Sequence, residues 1–522
     1  MKLLDCTIRD GGYYTNWDFD RNLVLSYLES FNSLPVDYIE IGFRTTPVNY
    51  YAGEYFYSPD YVLEEAREIS NKKLAIILNE KDVRAEDVEK VLSPCKGLID
   101  MVRIAINPAN FQRALKFGET VKKLGFDICF NVMYMSDWDK YKEFQELISE
   151  LDGLVTYLYM VDSFGGVYPE DVKKTMDMIR SKTDVPIGFH GHNNLELALI
   201  NTLTAKEYGA EILDGTITGM GRGAGNLKTE LLLTALNAND DLEVDFNALS
   251  KIVNDFEELQ KKYEWGARLP YMVSGANSFP QKQVMEWVSQ RFYSYNSIIR
   301  SIKNKKLEQT DNRQLPNLNS GKLYKKAIII GGGPNAAHHA RAIGEYSEKE
   351  HNVCIIHASS RNAKHYNDVN ADQYFCLIGN EGHRIEQMFR EMGNFDGICI
   401  LPPYPRPMGT YIPSMVEENT YEMPGYFLDS FPQDSSTALA LETARFLGCG
   451  QVLVAGYDGY TDEFMGEKEQ MLFVENDEIF EAFDEIGGLK LASITPTKYQ
   501  NLDLISIYSL LTFGNKVLDK NE

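Results

Sequence analysis

The chain has 522 residues, 44% of them hydrophobic and 25% charged, the composition of a folded globular protein too long for one ordinary core. A formal net charge of −24 offers no basic footprint for nucleic-acid phosphates or for an anionic membrane surface. No apolar run reaches the roughly 18 residues of a membrane span, Asp5 and Arg9 interrupt the N-terminal run where a signal peptide would need it apolar, and seven scattered cysteines with no CxxC pair read as the reduced thiols of a cytoplasmic protein.

Strand-like runs alternate with amphipathic stretches from the N-terminus to about residue 217. The predicted strands are 2–8, 36–43, 74–79, 101–106, 127–134, 156–162, 186–192 and 211–217, each short and apolar enough to be buried on both faces. After the seventh, Leu195, Ala198, Leu199, Thr202 and Leu203 share a helical face, with Asn193 or Asn194 as the N-cap. Eight such units over about 240 residues fit a (β/α)8 TIM barrel better than the alternative of an open doubly wound α/β sheet. The expected domains are a barrel over 1–244, a helical extension over 245–302, a polar linker over 303–324 and a second, Rossmann-like α/β domain over 325–522. A fresh strand is expected in KAIIIGGGP, 326–334, and later ones at 352–358, 396–402, 451–457 and 490–495.

A barrel places its chemistry at the C-terminal ends of its strands. Arg9 and Asp10 follow the first, Glu40 and Arg44 the second, Ser163 the sixth, and the eighth runs into GMGRGAGN, 219–226. The seventh ends in GFHGHNN, where His190 and His192 stand two apart and so point to one side of a strand. Two imidazoles and one carboxylate, with Asp10 the natural choice, make a facial site for a divalent ion. The competing readings are a hydrogen-bonded pair of core histidines, and an Arg9 that only anchors Asp10 or Glu40. The glycines at 219, 221, 223 and 225 either bring backbone close to a ligand or simply form a tight turn.

LLDCTIRDGG, GFHGHNNLELALINTLTAKEYGA and GMGRGAGN resemble the DRE-TIM metallolyases over about residues 1–290. Within that group RDGG, VDSFGG and the glycine-rich loop follow the 4-hydroxy-2-oxovalerate aldolase branch. The resemblance implies that Asp10, His190, His192 and Asn226 hold Mn2+ or Mg2+, that Arg9 stabilises an enolate oxygen, and that Ser163 lies near a pyruvate-like α-keto acid. The implied activity is aldol cleavage or formation of a C–C bond through a metal-stabilised enolate, in a protein that is a homo-oligomer, a dimer in the family. Tyr13 stands where the aldolases carry an acid/base histidine, which leaves it as an acid/base or as a wall of the pocket. The 219–226 loop has no cysteine of the lyase type. The alternatives are an acyl-CoA-dependent Claisen synthase on the same barrel and a non-catalytic nucleotide-binding scaffold.

AIIIGGGPNAAHHA, 327–340, reads as strand, glycine turn and helix start. Together with 436–460 it is similar to Rossmann-like nucleotide-binding domains of bacterial sialyltransferases and 6-hydroxymethylpterin pyrophosphokinases. The resemblance puts Gly331, Gly333, Pro334 and Asp458 at a nucleotide site. The next strand ends with no acidic residue for a ribose diol, and Ser359, Ser360 and Arg361 after it read either as acceptors of a 2′-phosphate or as a plain loop. His338 and His339 read as helix-surface residues.

Overall fold

The computed structural model describes residues 1–240, 242–290, 293–309, 313–319, 321–390, 395–406, 408, 411–460, 467–485 and 488–514. The chain divides into two compact units, 1–285 and 286–522.

In the first unit β1 (Lys2–Asp5), β2 (Tyr38–Phe43), β3 (Lys73–Asn79), β4 (Met101–Ile106), β5 (Asp127–Val132), β6 (Tyr157–Asp162), β7 (Ile187–Gly191) and β8 (Ile212–Gly215) form a closed barrel in chain order. All neighbours are parallel, and β8 closes on β1 in register from Lys2↔Ile212 to Asp5↔Gly215. The expectation of a barrel over an open sheet therefore holds. All six residues of β2 are buried, as strands covered by helices outside and side chains inside require. One end of the interior is filled by Leu4, Tyr38, Ala75, Met101, Cys129 and Tyr159. Above that layer the interior turns ionic, with Glu40, Arg103 and Asp214 all buried.

The first strand is shorter than its sequence suggested. It ends at Asp5, and Thr7–Thr15 is a helix carrying Arg9 and Asp10. The Asp5 carboxylate accepts from the Thr7 backbone N–H at 2.9 Å and from its hydroxyl at 2.5 Å, turning the chain where alternation alone would have continued it. The seventh strand also stops early. His192 lies just past it, in an antiparallel bridge with Asn226. The following helix is Ala198–Glu207; Asn193 Oδ1 accepts from the Ala198 N–H at 3.2 Å, while Asn194 donates to the Tyr271 carbonyl.

Beyond the barrel, Phe246–Tyr263, Leu269–Ala276, Gln281–Gln290 and Tyr295–Lys306 are helices. The second unit holds an eight-stranded sheet of β9 (Lys326–Ile330), β10 (Val353–His357), β11 (Asp372–Cys376), β12 (Ile398–Leu401), β13 (Thr420–Glu422), β14 (Gln451–Ala455), β15 (Lys490–Ser493) and β16 (Asp503–Leu504). Its order is β13-β12-β11-β10-β9-β14-β15-β16 and every pair is parallel. β11, β13 and β16 escaped the sequence reading; all three are short, and β13 and β16 flank the sheet. Part of the segment expected as a linker packs against it. Leu315 and Leu318 are buried, and the Leu318 N–H donates to the Glu422 carbonyl at 2.8 Å. No helix among the described residues is long and apolar enough to cross a membrane.

Candidate active site

The centre of the barrel is a ring of alternating charge. Arg9 pairs with Asp10 and, at 2.7 Å, with Glu40. Glu40 also meets Arg103 at 3.0 Å, and Arg103 meets Asp214 at 2.5 Å. Asp214 accepts from His190 Nδ1 at 2.8 Å, and His190 Nε2 faces Asp10 at 3.5 Å. Burial opposes the charge on Asp10 and on Asp214. Arg9 and the two histidines nevertheless hold the Asp10 carboxyl below the usual range, as Arg103 and His190 do for Asp214. Three carboxylates against two guanidiniums leave one surplus negative charge in a buried cluster when His190 is neutral.

That cluster suits a divalent cation, and the ligand atoms are prepared for one. His192 Nδ1 donates to the Asp162 carbonyl at 2.6 Å, as His190 Nδ1 does to Asp214, so the lone pair of each ring sits on Nε2. Fixing one nitrogen with an acceptor to present the other is how proteins orient metal-binding histidines. Burial, and next to it His190, pushes the His192 pKa down to about 3, so its ring stays neutral. The rings are 5.1 Å apart, nearly perpendicular. Asn226 donates through Nδ2 to Asp10 at 2.7 Å, while its buried Oδ1 has no hydrogen-bond partner. An orphaned buried carbonyl oxygen beside a carboxylate is what a hard cation would satisfy.

Cys6, His190 and Asp214 also bring metal-capable atoms within 4.8 Å of one another. Burial pushes the Cys6 thiol up, so it is no thiolate, and Asp214 is already shared by Arg103 and His190. This trio backs His190 from behind.

A cavity of about 140 Å3 opens over the cluster, lined by Arg9, Asp10, Tyr13, Ser163, His190 and His192 among others. Asn226 lies behind Asp10, outside that lining. Ser163 Oγ accepts from the Tyr134 N–H at 2.8 Å. Tyr13 accepts from Arg222 at 2.6 Å, and the Arg222 guanidinium also lies 3.9 Å from its ring centroid. Glu40 is one step removed, acting on the cavity through Arg9. Arg44 does not belong to the site: it donates to the Val91 and Ser58 carbonyls and pairs with Asp60.

Four participants were missed. Arg103 was signalled by the single charge inside MVRIAI, and Asp214 by the charge in the middle of EILDGTI. Arg222 is the one charge in the glycine-rich loop. Gln281 reaches the site only through tertiary structure, its side chain accepting from the Ala224 N–H at 3.1 Å and donating to Asn194 at 2.7 Å. The glycines of that loop serve geometry as well as access. Gly219, Gly223 and Gly225 have positive φ, and a Cβ on Gly221 would lie 2.6 Å from the Asn226 amide nitrogen.

In the second unit, Gly331, Gly333, Pro334 and Asp458 line a cavity of about 560 Å3. It opens where the strand order reverses, between β9 and β14. Glycine is required at Gly331 and Gly333 by the neighbouring loop, since a Cβ at either would come within 2.6 Å of the Gly456 carbonyl. Asp458 accepts from the Asn335 N–H at 3.0 Å. Glu381, an acid lining this cavity from the helix Glu381–Arg390, accepts from the Ser359 hydroxyl at 3.2 Å and from the Ser360 backbone N–H at 2.5 Å, while the buried Ser360 hydroxyl has no hydrogen-bond partner. His338 is exposed, and His339 bonds Tyr508 at 3.0 Å.

The HMGL-like family matches residues 1–256. The chain is 30% identical to an oxaloacetate decarboxylase of Mycobacterium tuberculosis over 46% of this chain and 71% of that protein. It is 31% identical to a 4-hydroxy-2-oxovalerate aldolase of Carboxydothermus hydrogenoformans over 45% and 70%. Among solved structures, the N-terminal domain of a proposed aldolase from Bacteroides vulgatus is 52% identical, with a TM-score of 0.56, covering 58% of this chain and all of that one.

Proposed function

The chain belongs to the HMGL-like family, a group of metal-dependent carbon–carbon lyases, and from that premise we propose that its barrel is an aldolase acting on an α-keto acid with a pyruvate-like head. The observation that carries this reading is the donor set: two histidines with their lone pairs on Nε2, Asp10 held ionised, and Asn226 Oδ1 without a partner. Asp10, His190, His192 and Asn226 would hold Mn2+ or Mg2+. When bound, the cation supplies a Lewis acid for the keto group.

The chain's own residues do the rest. Arg9, fixed by Asp10 and Glu40, lines the cavity and places positive charge where an enolate oxygen develops. The Tyr13 oxygen already accepts from Arg222, so its own proton is the one available to a substrate oxygen. Pro280 and Gln281 cover part of the cavity and limit water. The cavity's roughly 140 Å3 suits a small acid, well under the several hundred cubic ångströms of a site for a larger ligand. That favours the keto acid over an acyl-CoA.

The second unit we read as a Rossmann-like domain that binds a nucleotide across Gly331, Gly333, Pro334 and Asp458. Its strand reversal and larger cavity support this. A cytoplasmic homodimer completes the proposal; the free, buried cysteines accord with a reducing compartment.

The test is pyruvate in D2O with the Mg2+-loaded protein, following loss of methyl protons by NMR. Exchange that disappears in His190→Ala and His192→Ala is expected. A protein that binds Mg2+ and exchanges nothing removes pyruvate as the donor.

A further inference from the structure

Arg222 is the guanidinium of this site with no carboxylate in ion-pair reach among the described residues. Arg9 and Arg103 are each paired with two carboxylates. Among the described residues no carboxylate pairs with Arg222; its guanidinium donates to the Tyr13 hydroxyl. It lines the same cavity as Asp10, His190 and His192. Asp10 and His190 are each 3% exposed and Asn226 2%, whereas Tyr13 and Arg222 are partly buried and Lys282 is exposed. Arg222 therefore stands between the buried cluster and the mouth.

The side chain is also held for a purpose beyond packing. Gly221 on one side has no room for a Cβ because of Asn226, and Gly223 on the other because Gln281 Oε1 would be 2.3 Å away. The backbone of Arg222 is thus clamped between the donor set and the helix Gln281–Gln290. The Tyr13 ring orients its guanidinium from below. A guanidinium so fixed is the usual receptor for a carboxylate, which it can grip through two N–H groups.

We propose that Arg222 takes a second carboxylate, and that the substrate is a keto dicarboxylate of the 4-hydroxy-2-oxo class. This rests on the reading of the barrel as a keto-acid aldolase and narrows its substrate. Charge supports it: Arg222 brings to the cavity a fixed cation beyond the carboxylate-paired Arg9 and Arg103, and an acid with a single carboxylate, held at the metal site, leaves that cation unmatched. The chemistry is cleavage without a co-reactant. The C3–C4 bond breaks, its electron pair passes to the enolate, and the C4 hydroxyl proton ends on C3. C4 becomes an aldehyde that keeps the second carboxylate. Retention matters: a carboxylate leaving as CO2 loses its charge, and a guanidinium that stabilises that charge in the ground state opposes the loss. Arg222 thus favours aldol cleavage over decarboxylation.

The experiment is calorimetric titration of the Mg2+-loaded protein with L-malate and L-lactate, unreactive hydroxy acids that differ by one carboxylate. Wild type should bind malate tighter by roughly tenfold to a hundredfold, the worth of one charge-assisted hydrogen-bond pair. Arg222→Gln should bring the ratio of the two affinities close to one, and Arg222→Lys, which keeps the charge but loses the fork, should retain part of it. Equal affinities in wild type, or a malate preference that survives Arg222→Gln, overturn the proposal. Pyruvate exchange measured alongside separates the two levels. Exchange without malate preference sinks the dicarboxylate alone, and no exchange removes pyruvate as the donor and with it the reading on which the dicarboxylate rests.

Discussion

Arg103 touches no substrate, yet it determines whether the site can exist. Its side chain is fully buried, joins Glu40 to Asp214, and lies 4.4 Å from the Tyr159 ring centroid. Replacing it by methionine keeps the volume and removes the charge. Asp214 is then left buried without its main partner and Glu40 with Arg9 alone, a loss of about 3–5 kcal/mol for breaking such a pair from one side. Urea unfolding of Arg103→Met followed by tryptophan fluorescence should show a loss of that order. A loss below about 1 kcal/mol would mean that Glu40 and Asp214 find other partners or take up protons. Metal affinity should fall with it, since Asp214 orients His190.

The loop between β8 and the helix Thr229–Asp240 is the element on which the site turns. It carries Arg222 and Asn226, and its N-terminal part packs against the helix Thr7–Thr15: a Cβ on Gly11 would lie 2.4 Å from the Met220 sulfur. Gly221, unlike Gly219, Gly223 and Gly225, does not sit at positive φ, so alanine there keeps its backbone while its Cβ displaces the Asn226 amide. Gly221→Ala should therefore bind Mg2+ roughly tenfold to a hundredfold more weakly with little change in melting temperature; unchanged affinity would remove Asn226 from the donor set. The sequence made much of this element legible. Eight apolar runs announced the barrel, and HxH with RDGG announced the chemistry at its mouth. What it hid has physical causes. The helix at Thr7 was read as strand because Cys6-Thr7-Ile8 alternates like one, and only the Asp5–Thr7 hydrogen bonds end it. Arg103 and Asp214 sat in strands whose apolar neighbours masked them. Arg44 looked like a site residue by position, but its guanidinium finds carbonyls on the outer layer first. Gln281 could not be placed at all, being about 55 residues beyond the loop it clamps.

At the scale of the whole molecule, the two compact units separate the two proposed activities. A chain ended after residue 290 should keep Mg2+ binding and pyruvate exchange and lose any nucleotide affinity, checked by equilibrium dialysis beside the exchange assay; loss of exchange in a folded fragment would tie the barrel's chemistry to the second unit. The second sheet was harder to read at its edges because β13 and β16 are only three and two residues long and carry no motif. The ionic ring of the barrel has a wider implication. Arg9, Asp10, Glu40, Arg103, His190 and Asp214 come from five different strands or their loops, and each satisfies two neighbours. Changes at such positions do not add: a replacement tolerable at one depends on what stands at the next. These six positions should accordingly be inherited together or lost together. Moving this active site onto another barrel would mean transplanting all six at once, because every partial set leaves a charge stranded inside the protein.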